Sequence, residues 1–261
     1  MRVTLIQDFI DFCRGKGCPS LERKKWIKRH SQNNSIIVIG DSHTYYFSGQ
    51  EVIHPQKIAY HHGVINSSEN LIPEFSPIHI GPVLAYNANK YETTTRGKEK
   101  IDYLISKKVI KRGDPLLFCY GEIDIRNHVV RQARDQGVEL ERVIDRVLAN
   151  YLAFLVSMQK EGYQVACWGP TPSFPDREKP NKAFPTFGDE ITRNKATLYF
   201  NERLKIVCLQ SGIGFISIAE KVIDEHGRIK QDYFVDGCHL SQKAWALVAK
   251  EQVSNAFREI R

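Results

Sequence analysis

Short apolar runs that do not alternate constrain this chain most. Ser35-Ile36-Ile37-Val38-Ile39, Leu116-Leu117-Phe118-Cys119-Tyr120, Gln164-Val165-Ala166-Cys167-Trp168 and Gly214-Phe215-Ile216-Ser217-Ile218 are apolar almost throughout. A strand with one wet face alternates apolar and polar residues, whereas continuous runs belong to parallel sheets covered on both faces. Ile78-His79-Ile80 and the short Lys57-Ile58-Ala59-Tyr60 are further strand candidates. Helical patterns fill the gaps. From Glu139 to Lys160, Leu140, Val143, Ile144, Val147, Leu148, Leu152, Leu155 and Val156 form one stripe; Thr192 to Leu209 and Ser241 to Ile260 read the same way. Strands alternating with helices predict an α/β domain, a three-layer α/β/α sandwich around a parallel sheet. Residues 35–261 form that domain, and residues 1–34 read as an N-terminal helical extension.

The chain has 261 residues, 42% hydrophobic and 26% charged, enough for one α/β unit with a sizeable core. Its net charge of +7 is dispersed. The densest cluster, Arg23-Lys24-Lys25 with Lys28, Arg29 and His30, reads as a solvated helix face, so no nucleic-acid partner is expected. No apolar stretch is long enough to span a bilayer, and Arg2 and Asp8 interrupt what would be the apolar core of a signal peptide. A cytoplasmic protein with free thiols is the expectation. Cys119 and Cys167 lie in strand-like runs; Cys13 and Cys18 lack a second ligand pair; the histidines, including His61-His62 and His128, show no metal spacing. Neither metal nor cofactor is expected.

The chemistry sits at the two ends of the domain. Gly40-Asp41-Ser42-His43 follows the first strand, and Asp236-Gly237-Cys238-His239 follows the last. In open parallel sheets, ligands bind outside the carboxyl ends of the strands. Ser42, Gly81, Gly121 and Gly169 fall just past such ends, so the candidates converge on one edge. Ser42 needs a base to become a nucleophile, His239 is a suitable one, and Asp236 can orient its ring; on a helical turn, positions i and i+3 share a face. The plainer alternative makes Ser42 and Asp236 helix caps. The segment from Gly169 to Glu190, with five prolines and Phe174, Phe184 and Phe187, reads as a substrate rim. Glu122-Ile123-Asp124-Ile125-Arg126 alternates; if extended, it presents Glu122, Asp124 and Arg126 as one polar wall.

The Gly-Asp-Ser turn and the late Asp-x-x-His pair together resemble the GDSL/SGNH hydrolase family. The resemblance implies a flavodoxin-like strand order and catalytic Ser42, Asp236 and His239. It also implies an oxyanion hole built from the Ser42 amide, a second-block glycine matched by Gly81, and a third-block asparagine. The third block here is Gly121-Glu122-Ile123-Asp124, with Ile123 in the asparagine's place. Arg126, Asn127 or Asn87 is left to supply the missing donor. His43, Glu122 and Asp124 are the expected substrate contacts. The implied activity is serine-dependent ester hydrolysis or acyl transfer through an acyl-serine, on a small-molecule or glycan ester; the polar wall favours an O-acetylated carbohydrate. The alternative is a catalytically weak glycan-binding or accessory domain.

Overall fold

The computed structural model describes residues 24–28, 35–51, 56–59, 64–67, 70–172, 174–176, 185–248 and 250–258. Among these, one sheet has seven strands: β1 (Ile36–Gly40), β2 (Gln56–Ala59), β3 (Ile65–Ser67), β4 (Phe75–His79), β5 (Pro115–Cys119), β6 (Gln164–Trp168) and β7 (Gly214–Ile216). Their spatial order is β2-β3-β4-β1-β5-β6-β7. The strands from β4 to β7 pair parallel, while β3 pairs antiparallel with both β2 and β4. The sheet is parallel from β4 to β7, as expected, and β2 and β3 extend one edge antiparallel. Its parallel part has the flavodoxin-like order, with β1 between the strands that follow it on either side.

The continuous apolar runs are explained by two cores. Ile37 and Ile39, Leu116 and Phe118, and Val165 and Cys167 point to one face. Val38, Leu117, Cys119, Ala166 and Trp168 point to the other. The first face is covered by α1 (Gly97–Ser106), α2 (Val130–Gln136), α3 (Leu140–Lys160) and α4 (Glu190–Gln210). The α3 stripe Val143, Ile144, Val147, Leu148, Tyr151, Phe154, Leu155 and Met158 is buried along its length. The second face is covered by the 3₁₀ segment Ser42–Ser48, the loops around Val222, Ile229 and Phe234, and α5 (Lys250–Arg258).

The single helix expected from Ser241 to Ile260 is instead a 3₁₀ segment, Gln242–Leu247, followed by α5. Side-chain ties hold its first turn: the Ser241 hydroxyl donates to Glu51 at 2.5 Å, and Gln242 Nε2 donates to Tyr46 O at 2.9 Å. These bind the chain's end to the segment after Ser42. Of residues 1–34, most lie outside the described residues; 24–28 are helical, with Trp26 and Ile27 packed against the first core. Cys119, Cys167, Cys208 and Cys238 are free and buried. No helix among the described residues is long and apolar enough to cross a membrane.

The end of β1 runs against β5 so closely that a Cβ at Gly40 would lie 2.1 Å from Cys119 O. That neighbour is sheet backbone and cannot yield without breaking the register. Gly40→Ala is therefore expected to cost about 3 kcal/mol or more of stability, read as a lowered urea midpoint with unchanged slope.

Candidate active site

β1 lies between its parallel neighbours β4 and β5, so the strands that follow it are laid down on opposite sides of it, and the crevice at this switch point is where an open sheet offers room for a ligand. Asp41 turns the chain out of β1: its Oδ1 accepts from the His43 amide at 2.9 Å and caps the 3₁₀ segment that begins at Ser42. The opposite side of the crevice is built by residues 235–240, which form a turn and not a helix. Asp236 Oδ1 accepts from the amides of Cys238 at 2.8 Å and His239 at 2.6 Å. The i, i+3 meeting of Asp236 and His239 thus comes from this turn.

The side chains form a continuous path. Ser42 Oγ lies 2.8 Å from His239 Nε2, and His239 Nδ1 lies 2.9 Å from Asp236 Oδ2. A carboxylate can only accept, so Nδ1 carries the ring proton and Nε2 is left to accept from the serine hydroxyl. Partial burial alone would raise the Asp236 carboxyl, but the hydrogen bonds and charge of His239, with the two turn amides, hold it well below the usual carboxylate range.

Behind this path is a buried charge cluster. The segment read as an extended wall is helical: residues 122–123 start a helix that passes through a π-helical stretch, Asp124–Val129, into α2. Glu122 and Arg126 are then one turn apart, and Arg126 Nε donates to Glu122 Oε1 at 2.6 Å. Burial opposes ionisation of Glu122, but Arg126 and His43 outweigh it and hold the carboxyl below the usual range. His43 is buried between Asp41, Glu122, Thr171 and Cys238, with Nε2 3.6 Å from Glu122 Oε2 and 3.7 Å from Cys238 Sγ. Burial would favour a neutral ring; Asp41, Cys238 and Glu122 together hold His43 well above its ordinary value. His43 and Glu122 therefore support each other, and both still border cavities at Ser42 and His239.

A pocket of about 380 Å³ opens beside Ser42 and His239, lined also by His79, Pro82, Ile123, Arg126 and Phe174. Of the three side chains left to replace the third-block asparagine, Arg126 alone is among those lining residues. Asn87 lines a separate cavity beyond Asp124. Asn127 lines neither, and its buried Oδ1 makes no hydrogen bond. Ile123 faces the pocket and not the sheet. Asp124, expected at the substrate, is turned the other way: its carboxylate accepts from the amides of Ala85 at 2.7 Å and Tyr86 at 3.1 Å, tying the 3₁₀ turn after β4 to the helix after β5. Gly81 has φ +106°, and among the described residues neither its amide nor that of Ser42 donates to another group.

His79 is a pocket residue that the sequence reading passed over, although it ends β4 at the same sheet edge as Ser42. Its Nδ1 is 3.3 Å from the Asn66 amide nitrogen and 3.2 Å from Tyr45 Oη. The amide donates, so the ring proton sits on Nε2. Burial, then the charges of Lys100, His239 and His43, lower His79 to about 4, leaving it neutral. From the proline-rich segment, Phe174 contributes to the pocket, stacks 5.4 Å from the Arg126 guanidinium, and is held by its amide to Gly237 O and by Arg193 to its own carbonyl. Phe184 and much of that rim lie outside the described residues.

No family model and no curated protein matches this chain. Solved structures do. A GDSL-like lipase from Bacteroides thetaiotaomicron is 10% identical, covering 92% of this chain and 98% of that one, with a TM-score of 0.53. A candidate acylhydrolase from Bacteroides fragilis is 12% identical over 91% and 97%, with a TM-score of 0.53. A candidate platelet activating factor from Streptococcus pneumonia is 14% identical over 99% and 97%, with a TM-score of 0.51. The chain has an SGNH/GDSL hydrolase-like fold.

Asp124 yields a pH signature. Burial raises its carboxyl to about 7, against the lowering effect of the Tyr86 and Ala85 amides. With the folded value above the unfolded one, the folded state holds more protons between roughly pH 4 and 7, and stability falls as pH rises through that window. Asp124→Asn removes this dependence. The melting temperature of the variant relative to the parent should climb from pH 4 to 7 and then level off, as measured by calorimetry across that range.

Proposed function

We propose that this protein is a serine-dependent ester hydrolase acting through an acyl-serine. The observation that carries the reading is the unbroken path Ser42 Oγ–His239–Asp236, with separations of 2.8 and 2.9 Å, beside an open pocket. His239 Nε2 takes the hydroxyl proton as Ser42 Oγ bonds to the acyl carbon. The proton then passes to the departing alkoxide, which leaves as the alcohol. Water enters, loses a proton to His239, attacks the acyl-serine and releases the acid, and Ser42 regains its proton. Asp236 keeps Nδ1 protonated and offsets the imidazolium charge. The tetrahedral oxyanion is received by the amides of Ser42 and Gly81, with the Arg126 guanidinium at the pocket wall in place of the missing asparagine. Arg126 brings a permanent charge where an amide would bring a dipole, and its pairing with Glu122 sets its position.

The proposed substrate is a small ester with a short acyl group, with an O-acetylated carbohydrate the preferred class. The compact pocket, with Arg126 and His79 beside Pro82, Ile123 and Phe174, supports this. Asp124 no longer contributes, because both its oxygens are committed to backbone amides. A second reading, a glycan-binding domain of little turnover, draws on Ile123, an aliphatic side chain facing the pocket where a donor is needed.

A chromogenic acetate ester separates the two readings. The parent should hydrolyse it, and Ser42→Ala should lower turnover by more than about 10⁴-fold. A fluorophosphonate probe should label the parent at Ser42 only. A parent that neither turns over the ester nor takes the label supports the binding domain instead. Asp236→Asn should lower kcat by about 10⁴-fold with the fold retained, because an amide stabilises the wrong imidazole tautomer. Full activity in that variant would reduce Asp236 to a turn-former.

A further inference from the structure

We infer that His43, Cys238 and His239 form a site for a divalent transition-metal ion of the zinc class, and that the ion switches off the Ser42 centre by occupying His239 Nε2. The donors come from two distant parts of the chain, His43 after β1 and the adjacent pair Cys238-His239 in the turn at Asp236, and their ligand atoms all lie within 4.8 Å of one another. His43 Nε2 and Cys238 Sγ are 3.7 Å apart. Tetrahedral zinc, with bonds of about 2.0–2.1 Å to nitrogen and about 2.3 Å to sulfur, holds such donors roughly 3.3–3.6 Å apart. One pair is already near that spacing, and the third donor, within 4.8 Å of both, has at most about 1.5 Å to close. Two imidazoles and a thiolate are the donor set that zinc favours over magnesium or calcium.

The surroundings are those of a metal site. His239 is oriented through its far nitrogen by Asp236 at 2.9 Å, and His43 Nδ1 lies 3.4 Å from the Thr171 hydroxyl. Partners of this kind fix which ring nitrogen faces the ion. Independently, the buried oxygens Glu122 Oε2 and Asp41 Oδ2 make no hydrogen bond, and the former sits 3.6 Å from His43 Nε2. Two carboxylates are thus held around the cluster with acceptor capacity to spare, and they favour a cation there. Coordination displaces the Cys238 thiol proton and any proton on the two Nε2 atoms. The zinc–thiolate pair leaves a net charge of +1 facing Asp41 and Glu122. With Nε2 bound to the metal, Ser42 loses the atom 2.8 Å away that would accept its proton. The inhibitory half of the inference rests on the proposed role of His239 as base; the binding half does not.

Cobalt(II) serves as the probe, because a cobalt–thiolate bond gives a charge-transfer band in the near ultraviolet. Titrated into the full reduced chain, it should produce that band with one ion per chain, and zinc should displace it. Cys238→Ala should abolish the band, and His43→Gln should weaken binding by about tenfold or more. Near-ultraviolet circular dichroism checks that both variants are folded, and zinc should raise the parent's melting temperature. No band in the parent, or a band undiminished in Cys238→Ala, overturns the site. Zinc should also stop ester turnover in the parent, reversibly on chelation, and leave the residual turnover of Cys238→Ala unaffected. Stoichiometric binding with unchanged parent turnover overturns the switch. A cobalt band in a protein that hydrolyses no ester upholds the metal site while defeating the hydrolase reading.

Discussion

The parallel pairing of β1 with β4 on one side and β5 on the other is the constraint on which the site depends. It buries both faces of β1, so the strand must end abruptly, and Gly40 lets it end against the Cys119 carbonyl. Asp41 then caps a tight 3₁₀ turn, and Ser42 emerges at the switch point as its first residue. The helix that begins at Glu122 leaves β5 beside it, and the turn at Asp236 closes the crevice from the far side.

Burying charge is costly unless it is paired, and this protein buries several beside the crevice. Glu122 and Arg126 satisfy each other across one helical turn, His43 is shared by Asp41 and Glu122, and Asp124 ties the turn after β4 to the helix after β5. Removing one member of the Glu122–Arg126 pair would strand the other in a dry setting, at a cost of about 3–5 kcal/mol. The cluster therefore acts as a rigid backing for Ser42 and His239, and it sets the electrostatic tone of the pocket wall. Ile123 is read best in that context: one helical turn on, Arg126 brings a charge to the pocket, and its position is set by that cluster.

Periodicity made β1, β5, β6 and β7 legible because doubly covered strands are continuously apolar, and it made α3 and α4 legible because their stripes are long. β3 and α1 were missed: β3 is three residues long, and α1 carries Lys98 and Lys100 on positions that turn out to be buried. The segment from Glu122 to Arg126 was misread because strict alternation over five residues also fits a helix whose first and last residues pair at i, i+4. Only its place at the end of β5, with Gly121 at φ +112° turning the chain, makes it a helix.

By itself, the sequence determined the α/β layering, the edge at which Ser42, Asp236 and His239 would gather, and the chemistry those residue types can perform. These follow from local periodicity and from the rule that ligands sit at strand ends, neither of which needs long-range contacts. Tertiary structure alone decided which polar groups face the pocket and which face the core. It turned Asp124 and Asn87 away, left Arg126 and His79 at the wall, and placed Cys238 against His43. Such outcomes depend on how helices and turns distant in sequence pack around buried charge, and a spacing rule carries no information about that packing.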